Sequence, residues 1–400
     1  MKTKVYQTTI YLGTTQDGKK HNKKVTAQTK KELDKKVQEV KRQIEEGYDL
    51  QLCDEFGHWA GLWLNNVEIP KGVSYRWAQT QQSYINMLNS EFEDVPFSKI
   101  TLNRFQIFIN ALAAENPHTH RPTARKTLND VTTTARRIAV YARGSGVAGV
   151  KEFYEVVIPR TAPKTKRNAV TLEQLNWILD TEHPAQVFSM LGCFAGLRRG
   201  EILPLKWKDI DFKNSVISIE RSVSFINNSP KVKDGGKTAN ATRRIRVPAV
   251  LMDYLDEYRR RTTYQTPDCL IACRKDGSMH TERTYQTMWK SYMRTLNLKY
   301  GDFSNVKFKD GQEVPIKIDT FTHHQCRHFF ATLCYLQGMS PLDAMQELGH
   351  GDIKTTVNTY TDLQHYTKWD LPQDFRQKLQ TEYYINTTGM ERKSAVAGLF

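Results

Sequence analysis

The stretch Thr322-His323-His324-Gln325-Cys326-Arg327-His328, followed by Leu348-Gly349-His350 and, ten residues further on, by Tyr360, decides how the rest of this 400-residue chain is read. Far upstream, Gly196-Leu197-Arg198-Arg199-Gly200-Glu201 completes the set. These residue types suit attack on a phosphodiester. The phosphate repels nucleophiles by its own charge. An enzyme that uses no metal therefore needs fixed cations on the non-bridging oxygens, imidazoles for proton traffic and a side-chain nucleophile. Two arginines, several histidines and a tyrosine answer those needs.

Bulk composition points the same way. The 58 Lys and Arg outnumber the 43 Asp and Glu, for a formal charge of +15. The excess runs along the whole chain, which suits an extended polyanion better than an acidic small molecule. Six cysteines are scattered without paired-ligand spacing, and Cys269 with Cys273 lacks a second pair to complete a tetrahedral set. Neither a disulfide scaffold nor a metal is expected, and no other cofactor. No run approaches the ~18 apolar residues of a membrane span, and the first thirty residues contain no apolar signal region. The expectation is a soluble cytoplasmic protein with no membrane partner.

At this length two or three domains are expected. Val5 to Leu12 and Lys19 to Ala27 read as strands joined near Gln16-Asp17-Gly18. A helix follows, with Thr29 and Glu32 as a capping box, Leu33, Val37, Val40 and Ile44 on one face, and Gly47 as its C-cap. Lys19, Lys20, Lys23 and Lys24 cluster on the hairpin, and a two-stranded ribbon fits a major groove. Residues 56–150 read as four helices: one opened by Trp59, Leu62 and Trp63, Tyr75 to Phe92, one on Leu102, Phe105, Ile109 and Leu112, and one on Leu128, Val131, Ala135, Ile138 and Tyr141. Arg121, Arg125, Lys126, Arg136, Arg137 and Arg143 decorate the last helix and its approach.

Residues 151–167 end in a basic, Pro-rich stretch whose Lys164, Lys166 and Arg167 can track a phosphate backbone, and they read as a linker. From 168 to 385 the pattern is one mixed domain, opened by the capping pair Thr171 and Gln174. Its strand candidates are Val216, Ile217 and Ile219, then Ile245 and Val247. Residues 386–400 form a weakly patterned tail.

The order Arg, Lys, His-x-x-Arg, Gly-His, Tyr resembles the tyrosine recombinase, or phage integrase, family, and in particular prophage and conjugative-transposon integrases. The resemblance implies a multidomain, mainly α fold with small β elements. It would comprise an arm-type DNA-binding module of three strands and a helix (1–50), a helical core-binding bundle (56–150) that clamps duplex DNA, and a mixed α/β catalytic domain (168–385). It also assigns roles. Arg198 and Arg327 grip the non-bridging oxygens. His324 and His350 serve the scissile phosphate, and Glu201 supports the site. Tyr360 attacks to leave a 3′-phosphotyrosine. Lys237 matches the hairpin lysine, with a basic residue six positions on and Pro248 eleven on, and would protonate the leaving 5′ oxygen. His323 is the decoy imidazole and Arg199 the solvent-facing neighbour.

The implied partners are double-stranded DNA, a homo-tetramer on that DNA, and accessory excision and bending proteins, within the bacterial nucleoid. The expected activity is site-specific recombination that integrates and excises a mobile element. A type IB topoisomerase would use a similar site without explaining the N-terminal hairpin. A chromosome-dimer-resolving recombinase usually lacks that module too. A DNA-binding regulator would not need every catalytic position filled.

Overall fold

A computed structural model describes residues 6–14, 20–45, 53–117, 119–164, 168–235, 242–309, 312–349, 352–354 and 356–357. Lys19, Gly47, Lys166, Arg167, Lys237, His350, Tyr360 and the tail lie outside the described residues, as do the side chains of Lys20 and Lys23. The chain divides into two compact units, Met1–Lys166 and Arg167–Phe400.

At the start of the first unit, β1 (Tyr6–Thr14) pairs antiparallel with β2 (Lys20–Ala27), and α1 (Lys30–Glu45) follows. Val25, Ala27, Leu33 and Val40 make a small core of their own, with Tyr6, Ile10 and Val37 packed against it. Ile44, expected on that face, is exposed. Thr29 caps the helix by accepting from the Glu32 amide at 3.2 Å, but the Glu32 carboxylate reaches back to the amide of Gln28 rather than Thr29. The sheet has two strands among the described residues, where three were expected. Only two runs ahead of α1 carry the β-branched and aromatic residues a strand favours.

The rest of the unit is helical. α2 (Phe56–Leu62) widens into a π turn over Trp63–Glu68, then come α3 (Tyr75–Phe92), α4 (Leu102–Ala114) and α5 (Arg125–Gly144). Ser74 and Thr101 cap α3 and α4 by accepting from amides three residues on. Phe56, Phe92, Phe97 and Phe105 are fully buried at the centre. Residues read as linker join this core. Phe153 stacks on Phe105 with ring centroids 4.3 Å apart, and Val156 and Ala162 are buried beside them.

The second unit begins with α6 (Leu172–Asp180), whose Thr171–Gln174 capping box forms in full, at 2.9 and 3.1 Å. All ten residues of α7 (Gln186–Ala195) are buried, so it is the central helix of this unit. The short α8 (Arg199–Ile202) leads to an antiparallel sheet of β3 (Ile210–Asp211), β4 (Val216–Ile219) and β7 (Arg243–Arg246), as expected for residues 216–219 and 245. Two hairpins escaped the sequence reading. The strands β5 (Arg221–Ile226) and β6 (Ser229–Asp234) turn through Asn227 and Asn228, both with positive φ, while β8 (Asp302–Lys309) pairs with β9 (Gln312–Ile316). Polar residues along β6 hide the usual alternation, yet two asparagines in a two-residue turn are a hairpin signal. The helices α9 (Ala249–Arg261) and α10 (Glu282–Tyr300) enclose the core, and α11 (His323–Leu336) packs against α7 ahead of α12 (Pro341–Leu348).

Candidate active site

The end of α7 is set by Gly196. It adopts a left-handed φ of 62°, and a Cβ there would sit 2.4 Å from the Phe330 ring on α11. Glycine is therefore required twice, by backbone conformation and by space. The turn it allows makes Arg198 the N-cap of α8, with its side chain 43% exposed. On α11, Arg327 is buried at 3% exposure, and its guanidinium donates to the carbonyls of Gly196 and Leu348. Arg198 and Arg327 thus meet although far apart in sequence.

Three arginines converge on the C-terminus of α12. The carbonyls of Glu347, Leu348 and Gly349 accept respectively from Arg243 (3.0 Å), Arg327 and Arg198 (2.9 Å). A helix end leaves such carbonyls without intrahelical partners and carries partial negative charge, so cations suit it. Gly349 ends the helix at φ 60°, and an added Cβ would lie 2.8 Å from the Arg243 guanidinium. The same arginines share one acid. Both oxygens of Glu201 are held by Arg243 at 3.0 Å, and Arg198 adds a guanidinium bond at 2.9 Å and a backbone amide at 2.8 Å. Burial opposes ionisation of Glu201, but the bonds and charge of Arg243, helped by Arg198, outweigh it and bring its pKa to about 2. For Arg327, burial first and the Arg198 charge second lower the pKa to about 9, which leaves it protonated at neutral pH.

His324 is exposed on α11, one helical turn from His328, with rings 4.5 Å apart. His323 is enclosed, its Nε2 2.9 Å from the Leu197 carbonyl. Burial, reinforced by the nearby Arg327 charge, lowers its pKa to about 4. Its imidazole is therefore neutral and enclosed at neutral pH. Arg199 departs from its reading. It is half-buried, its guanidinium within 5.2 Å of the Phe225 ring centroid and 5.0 Å of the Tyr285 centroid.

The basic face of α5 is divided. Arg125 donates to the Pro159 carbonyl, and Arg136 donates to those of Phe153 and Tyr154 while lying over the Tyr154 ring. These two pin the segment after α5. Arg121, Lys126, Arg137 and, beyond that segment, Lys164 are exposed, as is Lys24 on β2.

Arg243, the basic residue six positions beyond Lys237, entered the sequence reading only as part of the hairpin pattern and was given no role in the site. Its strand held the signal. Alternation along β7 puts Arg243 on the face of buried Ile245 and Val247, while Arg244 and Arg246 point outward and are exposed. An arginine on the apolar face of a strand calls for a buried acid, and Glu201 is that acid. Among the described residues no group of three or more His, Cys, Asp or Glu is placed to hold a metal ion, and Cys269 and Cys273 are free thiols.

A buried carboxylate is thus shared by arginines beside an imidazole-bearing helix, and comparison identifies the class. Residues 169–366 match the phage integrase family. The chain belongs to that family of tyrosine recombinases, enzymes that cut and rejoin DNA. A XerC-like tyrosine recombinase of Caldanaerobacter subterraneus subsp. tengcongensis is 28% identical over 381 residues, 89% of this chain and 92% of that protein. The ICEBs1 integrase of Bacillus subtilis is 28% identical over 180 residues, 44% of this chain and 45% of that one. In fold, the chain is similar to residues 82–397 of the Tn1549 transposon integrase solved with transposon right-end DNA (TM-score 0.58, 16% identity, 80% of this chain and 98% of that one). It is also similar to the lambda integrase dimer bound to a COC' core site (TM-score 0.54, 15% identity, 88% and 91%).

Proposed function

We propose that this chain is a site-specific DNA integrase that moves a mobile element into and out of a bacterial chromosome through a covalent 3′-phosphotyrosine. The observation that carries the reading is the convergence of Arg198 and Arg327 on the Glu201 carboxylate and the α12 terminus. Two of the five N–H donors of Arg327 are spent on carbonyls, and others remain for a phosphate.

In this reading the scissile phosphate lies against Arg198 and Arg327, which neutralise the charge that repels a nucleophile. His324 and His350 hydrogen-bond the phosphate or take the phenol proton. The Tyr360 oxygen bonds to phosphorus as the bond to the 5′ oxygen breaks, and Lys237 protonates that oxygen. The covalent link conserves the bond energy, so the reverse attack by another 5′-hydroxyl needs no ATP. Duplex DNA is the substrate. Lys24, Arg121, Arg137 and Lys164 contact phosphates together with Lys19, Lys20, Lys23, Lys166 and Arg167, and Arg125 and Arg136 chiefly brace the backbone beside them. The domains follow the bounds 1–50, 56–150, 168–385 and 386–400, and the connecting residues 151–167 pack onto the bundle through Phe153, Val156 and Ala162. The working form is a homo-tetramer on DNA in the nucleoid, assisted by excision and bending proteins.

The test is to trap covalent complexes on nicked suicide duplexes from a random DNA library and sequence the captured DNA. The expected result is an adduct that survives denaturant, recurs on one sequence and vanishes in Tyr360→Phe while DNA binding stays. Adduct in Tyr360→Phe would overturn the nucleophile, and capture without sequence preference would favour a topoisomerase.

A further inference from the structure

The Glu201 carboxylate is saturated. Its two oxygens offer about four lone-pair directions, and the four N–H donors already described fill them: Arg243 Nη1 and Arg198 Nη1 on Oε1, and Arg243 Nη2 and the Arg198 amide on Oε2. The nearest Arg327 nitrogen stands off at 4.0 Å. Three guanidinium groups surround one carboxylate, and the one that takes both of its oxygens comes from β7, with a side chain only 8% exposed.

We propose that Arg243 is a positioning residue that occupies Glu201 so that Arg198 and Arg327 keep their charge and donors for the phosphate. The inference rests on the reading of those two arginines as the phosphate clamp. Without the fork of Arg243, one acceptor direction opens on each oxygen of Glu201. Arg327 has only to close from 4.0 Å to fill one, and Arg198 can swing into a two-pronged pair with the other. A carboxylate so paired neutralises the clamp, because fork-to-fork pairing is its strongest alternative to a phosphate. Arg243 also bonds the Glu347 carbonyl and fills the space beside Gly349, so it fixes the turn that precedes His350.

Substrate charge provides the test. A duplex carrying the captured site is prepared with its native scissile phosphate and with a methylphosphonate, which replaces one charged oxygen by methyl and so asks less of the arginines. Single-turnover cleavage by the full chain is measured for Arg243→Met and Arg243→Lys, with Arg198→Ala and Arg327→Ala as references and thermal melting as the check on folding. Arg243→Met is expected to cleave the native phosphate about tenfold or more slower at undiminished DNA binding, and the methylphosphonate less than about threefold slower. Arg243→Lys, with a single point of contact, should fall between and serves if the Met variant does not fold. Equal slowing on both substrates, or none on the native one, overturns the role given to Arg243. If the references too show no relief on methylphosphonate, the clamp itself is wrong. If the references are relieved and Arg243→Met is not, the clamp stands and only this inference fails.

Discussion

Arg198 and Arg327 are both expected to serve the phosphate, yet their surroundings predict different penalties for losing them. Removing either should slow cleavage by on the order of a hundredfold, as for a preorganised oxyanion donor. Arg327 also satisfies two buried carbonyls, so Arg327→Ala should cost about 2–4 kcal/mol of stability, while half-exposed Arg198→Ala should cost under about 1. Denaturant titration of the two variants separates them, and equal losses would contradict the difference in burial. Glu347 gives a pH signature. Burial raises its pKa to about 7, partly offset by Arg243, and its Oε2 is buried without a hydrogen-bond partner. The folded state therefore binds a proton that the unfolded state releases, and stability falls as pH rises from about 4.5 to about 7. Glu347→Gln should match the parent at pH 5 and exceed it at pH 8 by on the order of 1–2 kcal/mol in chemical denaturation. Glu201 works in the opposite sense. Its contribution is full above about 4.5 and is lost as pH falls towards 2.

Among the elements, the junction of α7 and α11 carries the heaviest constraint. Gly196→Ala places an L-residue in the left-handed region and drives a methyl into the Phe330 ring. Together these should cost about 2–5 kcal/mol, and cleavage should fall with stability because the Gly196 carbonyl also positions Arg327. Thermal melting of the variant checks this, and an unchanged melting temperature would mean that α11 simply moves aside. Much of this scale was legible beforehand. Tyr75 to Phe92 and the Thr171–Gln174 cap are local facts of periodicity and capping. The β5–β6 hairpin was not, because β5 alternates over only four residues, Ser222 to Phe225, and its partner β6 is polar and mostly exposed.

For the molecule as a whole, the N-terminal sheet and α1 enclose a core of their own, separate from that of the helical bundle. Deletion of residues 1–50 should therefore leave the remainder folded and cleavage of short core-site DNA intact, while recombination of long substrates falls. Equal recombination by the truncated chain would remove the arm-binding role. The net charge of +15 makes binding strongly salt-dependent, so core-site affinity should drop by about a thousandfold or more between 50 and 200 mM salt. Filter binding across that range measures it, and a flat response would exclude phosphate contact as its main source.

By itself the sequence pointed to the family, to the helices between residues 56 and 150 and to the groups proposed to react. Chemistry dictates which side chains can serve a phosphodiester, and a short spacing such as that from His324 to Arg327 is fixed by the helix that bears both. Only the tertiary structure decided which basic residues are spent inside the protein. Arg125 and Arg136 go to backbone carbonyls, Arg199 to two aromatic rings, and Arg243 to Glu201. A guanidinium costs the chain the same wherever it stands in the sequence. Its use depends on which carbonyls and carboxylates folding brings within about 3 Å, and those partners lie 34 and 17 residues away for Arg125 and Arg136, and 42 and 104 for Arg243.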